Sequence, residues 1–385
     1  MLDDSKGGAQ QQANRDVMVL VDEDITLDRR VLATLAKHST AEVIDCNDPK
    51  LGAGVISFRV YLKAVYFLLA AAIQGRHLWW MLGRQYGLHA DAWIVGLRIS
   101  MASYIKAQRV ADALRSRIQG VRLIHAHDLY CGVIGAELSR LTGAELVYDA
   151  HEVEFHRNRK NSWMRTAFDW VVEKQVIARA SEVRVVNRPI ADLYQRVHES
   201  LDGRLRVVPN NHFAIRLPEV AQVSAPETGV IVYVGGGVKG RQLECLAERS
   251  TEIGLPVHAF FVGEVPEFAK ASGWVVSGSD YEDALVSLVA SHRCMMWCCV
   301  DDVCLSYRLS LPNKFFQALA VGIPIIAAKG SYLAELVEAN GIGAVFDGKN
   351  LVEIVRLMKS AQYEEWTTHV REYRETIAVE NNASE

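Results

Sequence analysis

Four short runs of this chain carry side chains that can bind or transform a ligand. Leu123-Ile124-His125-Ala126-His127-Asp128 and Tyr148-Asp149-Ala150-His151-Glu152 read as strands ending in imidazoles and carboxylates. These are the groups that move protons near neutral pH. The two-residue period of a strand places His125 and His127 on one face, so spacing does not separate them. Asp149, His151 and Glu152 can orient a hydroxyl or take its proton. A histidine satisfied by local backbone, and a hydrogen-bonded loop that only shapes a cleft, are the competing readings.

The other two runs suit an anion. In Tyr233-Val234-Gly235-Gly236-Gly237-Val238-Lys239-Gly240-Arg241, the glycines follow a strand and let backbone N–H groups approach a ligand closely. Arg241 opens the next helix and can offer a two-pronged contact to a diphosphate, with Lys239 beside it. In Ser306 to Gln317, the triplet Pro312-Asn313-Lys314 opens a helix that stops at Gly322. A helix N-terminus carries unpaired N–H groups and partial positive charge, so it can hold an anion. Lys314 has the wrong sign for that end of the dipole, a mismatch that a bound phosphate would repair. An ordinary loop–helix–strand is the alternative.

The elements around these runs alternate strand and helix, which argues for parallel sheets. Strands are expected at 16–21, 41–45, 123–127, 145–149, 183–187, 205–209, 230–235, 257–262, 274–277, 293–300 and 323–328. Helices are expected at 28–37, 129–141, 164–180 and from Pro189. In open parallel sheets ligands sit at the C-terminal strand ends. The chain has 385 residues, half of them hydrophobic and 23% charged, enough for two domains with cores of their own. Its net charge of −4 argues against a nucleic-acid partner. The seven cysteines form no C-x-x-C pair, so neither a zinc site nor a disulfide framework is expected, and a reduced, cytoplasmic protein is.

Residues 1–14 are polar and expected to be disordered, without the apolar core of a signal peptide. Residues 15–209 form a first domain, 210–227 a proline-bearing linker and 228–363 a second domain. Tyr61 to Leu82 contains an apolar run of about ten residues, short of the roughly twenty that span a bilayer. It reads either as a buried helix or, with Trp79 and Trp80, as a helix lying at an anionic membrane surface. The cation-rich run from His156 to Arg165 supports the second reading.

Together the four runs resemble nucleotide-sugar-dependent glycosyltransferases, in particular glycosyltransferase family 4; the resemblance is patchy before residue 120 and good over about 121–345. It implies the GT-B fold, an α/β architecture of two Rossmann-like parallel-sheet domains facing each other across a cleft. The first domain would take the acceptor, the second the nucleotide sugar, and residues 364–385 would form a helix crossing back. The family's strand-end histidine, which contacts the donor sugar near the reacting carbon, falls on His127, with His125 the alternative; Asp149 and His151 lie on the acceptor side. Gly235, Gly236, Gly237, Lys239, Arg241, Asn313, Lys314 and Gln317 would hold a UDP- or GDP-linked donor. Many members carry Arg where this chain has Gly236, and Glu, which bonds the ribose, where it has Gln317. A further family glutamate falls on Leu309, although a related branch with the same Ser-Leu-Pro-Asn-Lys run lacks it too.

The family activity is transfer of a sugar to an acceptor hydroxyl with retained anomeric configuration, in polysaccharide or glycolipid synthesis. It needs no cofactor, and no metal is expected: helix termini and cations stabilise the leaving diphosphate, and no Asp-x-Asp signature stands in the expected place. The acceptor would be a glycan or lipid-linked, and the enzyme cytoplasmic or peripheral on the inner face of the cell membrane. A nucleotide-sugar epimerase on the same fold and a non-catalytic GT-B partner protein are the rival readings.

Overall fold

The computed structural model describes residues 16–22, 29–38, 41–51, 57–86, 93–157, 162–198, 201, 203–209, 229–277 and 281–383. The expected disordered N-terminus and the linker 210–227 lie outside them. The chain divides into two compact units: residues 1–155, 161–185 and 191–207 in the first, and 156–160, 186–190 and 208–385 in the second.

The first unit runs β1 (Val17–Val21), α1 (Arg29–Lys37), β2 (Glu42–Asp45), α2 (Phe58–Tyr86), α3 (Trp93–Leu114), β3 (Leu123–His127), α4 (Asp128–Thr142), β4 (Glu145–Ala150), α5 (Trp163–Arg179), β5 (Glu182–Val185), α6 (Arg188–Val197) and β6 (Leu205–Val207). Its six strands lie in the order β2-β1-β3-β4-β5-β6, all parallel. The order reverses between β1 and β3, so the C-terminal end of β3 is the place where such a sheet accepts a ligand.

The second unit runs β7 (Gly229–Gly235), α7 (Leu243–Glu252), β8 (Val257–Phe261), α8 (Glu267–Ala271), β9 (Val275–Ser277), α9 (Glu282–Ser291), β10 (Arg293–Trp297), α10 (Leu305–Leu309), α11 (Asn313–Val321), β11 (Ile325–Ala328), α12 (Tyr332–Asn340), β12 (Gly343–Phe346), α13 (Leu351–Met358) and α14 (Gln362–Ala383). Its parallel sheet has the order β12-β11-β10-β7-β8-β9, with the reversal between β7 and β10. Val230, Val232 and Val234 face one apolar layer and Ile231 and Tyr233 the other, as expected of a strand covered on both sides. Val370, Tyr373 and Ile377 of α14 pack on the first of these layers.

Strand β12 and helices α8, α9 and α13 were not read from the sequence, and two further departures bear on the packing. The long helix α3 was not anticipated. Its inner face is Ser100, Tyr104, Ala107, Gln108, Ala111 and Leu114, all buried at helical spacing, but small and polar members break the apolar periodicity that a sequence displays. Ser100 is held there by donating to Asp169 Oδ2 at 3.0 Å. The strand expected over 293–300 ends at Trp297. Cys298 still donates its N–H to Ile326 O at 2.9 Å, after which the chain leaves the sheet towards α10.

Candidate active site

In the first unit, β3 and β4 are neighbours in register, His127 opposite Asp149. That pairing gathers the polar ends of two runs far apart in sequence. His125 and His127 stack face to face, centroids 4.7 Å apart and planes 3° from parallel. Asp149 Oδ2 lies 3.6 Å from His125 Nε2 and 3.6 Å from His127 Nδ1, and all three side chains are buried. Their ligating atoms fall within 4.8 Å of one another, a spacing that a divalent ion can also use.

His151, just beyond β4, places Nε2 3.0 Å from His127 Nδ1. Its other nitrogen faces Asp128, whose Oδ1 is 3.7 Å from Nδ1 and accepts the His151 backbone N–H at 3.4 Å. Asp128 turns the chain from β3 into α4 at a φ of +64°, a left-handed conformation that only Gly, Asn and Asp visit readily. The tight turn brings its carboxylate under His151. Glu154 Oε2 accepts the N–H of Leu129, which ties the loop after β4 to the first turn of α4.

Beneath this loop sits Glu173 of α5, fully buried, accepting the hydroxyls of Tyr148 at 2.8 Å and Tyr194 at 2.6 Å. Burial and the neighbouring Glu173 hold both phenols well above their ordinary pKa, so they stay protonated donors. Burial also drives His198, 3.9 Å from Glu173, down to about 3, which leaves it neutral. Neither Asp128 nor Glu173 was singled out from the sequence. Glu173 had a readable signal: it occupies a position on the buried face of an amphipathic helix, with Trp170, Val176 and Ile177.

In the second unit, the turn after β7 and the start of α11 converge. Lys314 is 5% exposed, and its Nζ stands 4.2 Å from the centroid of the Tyr233 ring. Among the described residues Nζ has no hydrogen-bond partner and no carboxylate pairs with it. Burial, then the nearby Arg241 charge, bring its pKa down from 10.5 to about 7. The adjacent Cys298 thiol is pushed up to about 12 by burial and supplies no counter-charge. Gly235, at a φ of +135°, abuts this pair: a Cβ there would stand 3.3 Å from Tyr233 Oη and 4.0 Å from Lys314 Cε. Tyr233 in turn donates to Gly236 O at 2.7 Å, which shapes the glycine turn.

Arg241 lies over the Tyr307 ring at 4.9 Å, and its carbonyl accepts the Trp297 indole N–H. It does not open a helix as expected. α7 begins at Leu243, after Gln242 in a left-handed conformation, so Arg241 belongs to the turn. Lys239 and Gly237 belong to the same turn, with Lys239 exposed. Asn313 is the exposed first residue of α11, and Gln317, one turn beyond Lys314, donates through Nε2 to Tyr281 Oη. At Gly236 a Cβ would meet nothing closer than 3.8 Å, so the position could carry the family's arginine; this chain leaves it bare.

The two halves match two family models. Residues 71–211 match a glycosyl transferase 4-like domain, and residues 294–381 a glucosyltransferase 3-like, C-terminal domain. Among solved structures, HepE of Anabaena in complex with UDP-glucose is similar at a TM-score of 0.58 and 12% identity, over 95% of this chain and 97% of that one. Sucrose-phosphate synthase of Thermosynechococcus elongatus is similar at a TM-score of 0.55 and 18% identity, over 70% of this chain and 73% of that one. No curated protein matches the chain by sequence. A glycosyl transferase 4-like domain and a glucosyltransferase 3-like, C-terminal domain on one chain, with two six-stranded parallel sheets matching such neighbours, support a GT-B glycosyltransferase of family 4-like type.

Proposed function

We propose that this glycosyltransferase moves a sugar from a nucleoside diphosphate sugar, UDP- or GDP-linked, to a hydroxyl of a glycan or lipid-linked acceptor, with retained configuration and without a metal. The observation that carries the donor assignment is Lys314, a buried amine with no counter-ion among the described residues, at a helix start and a glycine turn. A buried, unpaired ammonium is costly, and a diphosphate is the ligand that compensates it. The solved complex of Anabaena HepE with UDP-glucose supports the same donor class.

In the transfer, the bond from the anomeric carbon to the distal phosphate oxygen breaks and its electron pair leaves on the diphosphate. Lys314 and Arg241, with the N–H groups at the start of α11, stabilise that charge. The acceptor oxygen bonds the anomeric carbon, and its proton passes to the imidazole–carboxylate cluster of the first unit. His151 is the member of that cluster that solvent reaches, its side chain 17% exposed against 2% for His127. His127 serves the sugar near the reacting carbon. Asp149 and His151 both face its Nδ1, and Asp128 holds His151.

The test is thermal-shift and calorimetric screening of nucleoside diphosphates and their sugars, followed by a transfer assay from every donor that binds. A ligand at about 100 times its dissociation constant adds roughly 2.7 kcal/mol, readily seen as a melting shift. Transfer to an acceptor from a bound donor is the expected result. Release of an epimerised nucleotide sugar, or binding with neither transfer nor hydrolysis across the panel, would overturn the proposal.

A further inference from the structure

The outer face of α2 is apolar and uncovered. Phe58, Leu62, Val65, Leu69 and Ile73 recur every three or four residues along one side of the helix, Trp80 follows on that side beyond Arg76, and these six apolar residues are 47–76% exposed. Tyr61 and Tyr66 flank the row, at 45% and 60%. From Phe58 to Ile73 it is about 23 Å long at 1.5 Å per residue. The opposite side is core: Ala64, Phe67, Ala71, Leu78 and Leu82 are buried. There Gly75 meets α5 so closely that a Cβ would stand 2.7 Å from Ala167 Cβ. The helix is therefore apolar on both sides, while the described residues cover only one. Soluble proteins rarely leave a contiguous apolar row of this length open.

We infer that this row seats in an anionic lipid bilayer, with α2 lying in the plane of the interface. By length and composition Phe58–Leu82 could cross a membrane, but the side fixed against α5 keeps it on the surface. Charge selects the occupant. The 29 residues of α2 contain Arg59, Lys63, Arg76 and Arg84 and no aspartate or glutamate. Arg59 and Arg76 are exposed; Lys63 reaches Glu137 of α4 at 3.1 Å, a pair open to solvent on the lysine side. Cations around an apolar row, with tyrosines and a tryptophan among it, match the headgroup and acyl boundary of an anionic leaflet. A second copy of the chain fits worse, because pairing this face with itself sets cations against cations. The run from His156 to Arg165, expected to add to a basic patch, contributes less than its sequence suggests. His156 is buried and its Nδ1 accepts the Leu305 N–H at 3.0 Å, and Arg165 pairs with Asp169 at 3.4 Å. Arg159 and Lys160 lie outside the described residues.

Flotation of the full chain with phosphatidylcholine vesicles, with and without about 30 mol% phosphatidylglycerol, tests this. The anionic vesicles should carry the protein, and raising the salt from about 0.1 M to 0.5 M should reduce the bound fraction severalfold. The variant Leu62→Glu/Leu69→Glu/Ile73→Glu alters only exposed positions. It should bind the anionic vesicles at least about tenfold more weakly, with its melting temperature and any nucleotide-induced melting shift unchanged. That last readout separates failure here from failure of the donor assignment. The inference falls if neither vesicle binds the wild-type chain, or if the triple variant floats as well as the wild type. It also falls if light scattering shows a dimer that the triple variant abolishes, since the row would then be a protein interface.

Discussion

His127 Nδ1 and His151 Nε2 stand 3.0 Å apart, one strand end against the loop of the next, so a single proton bridges the two rings. Asp149 Oδ2 sits 3.6 Å from the same His127 nitrogen, and Asp128 lies behind the far side of His151. The arrangement fixes the orientation of His127 through Asp149 and His151, and that of His151 through Asp128. His127→Ala should therefore lower kcat about 10²–10⁴-fold while nucleoside diphosphate affinity stays within about twofold. Asp128→Asn keeps the backbone turn but removes the charge, and should lower kcat less and shift the pH–rate profile. If His125→Ala costs more than His127→Ala, the two stacked rings exchange roles. Equal kinetics for all three variants would remove the cluster from the reaction.

The proposed contact of Lys314 with the donor diphosphate would couple binding to a proton. Its pKa is depressed to about 7 in the free protein, and an adjacent diphosphate raises it. Below pH 7 the lysine is already charged and affinity should be flat. Above it, affinity should fall as pH rises, up to about tenfold per unit until the pKa of the complex is reached. Both phosphates of a nucleotide sugar are diesters without a titration in this range, so the slope reports on the protein. Calorimetry between pH 6 and 9, in buffers of different ionisation enthalpy, measures it. Proton uptake on binding at about pH 8 is expected, and Lys314→Met should abolish it.

The same burial has a stability consequence of opposite sign. Because the folded state binds the Lys314 proton less tightly than the unfolded state, the ligand-free protein should gain stability from this group as pH rises from about 7 towards 10.5. Lys314→Met removes the penalty and should raise ligand-free stability at pH 7 by at least about 1 kcal/mol. It should also weaken nucleotide binding at least about tenfold, the loss of one charge-assisted contact. Chemical denaturation with and without nucleotide distinguishes the two effects. A destabilised Lys314→Met would mean that the ammonium has a partner in the folded state.

Gln317 donates to Tyr281 Oη, and its carbonyl oxygen is left to accept from a ligand hydroxyl. A carboxylate here would accept from both. Gln317→Glu is expected to tighten binding of a nucleoside diphosphate about three- to tenfold, the range of one charge-assisted hydrogen bond over a neutral one. Titration calorimetry against the matching deoxyribonucleotide locates the contact, since removal of the ribose hydroxyl should erase the gain. Weaker binding by Gln317→Glu would show a site tuned around the amide.

His125, His127 and Asp149 also make the metal question testable. Transfer without a metal predicts that dialysis against a chelator leaves kcat within about twofold, because Lys314 and Arg241 supply the charge stabilisation. Loss of activity with chelator and rescue by a divalent ion, abolished together in His125→Ala, would reassign the cluster as a metal site.

What the sequence determined by itself was local. Strand and helix periods, the glycine stop of α11 and the polar strand ends depend on contacts within a few residues, and they place the His127, Asp149 and Lys314 runs at C-terminal strand ends. The family resemblance was legible for the same reason, since it rests on short runs of fixed spacing. Tertiary structure alone decided which groups meet. Register between β3 and β4 set His127 opposite Asp149, a left-handed Asp128 swung its carboxylate under His151, and burial turned Lys314 from a surface cation into one with a pKa near 7. It also decided that α2, with apolar residues on two opposite sides, has only one of them covered by the described residues. Pairing register, desolvation and exposure depend on residues distant in the chain, and no local window of sequence contains them.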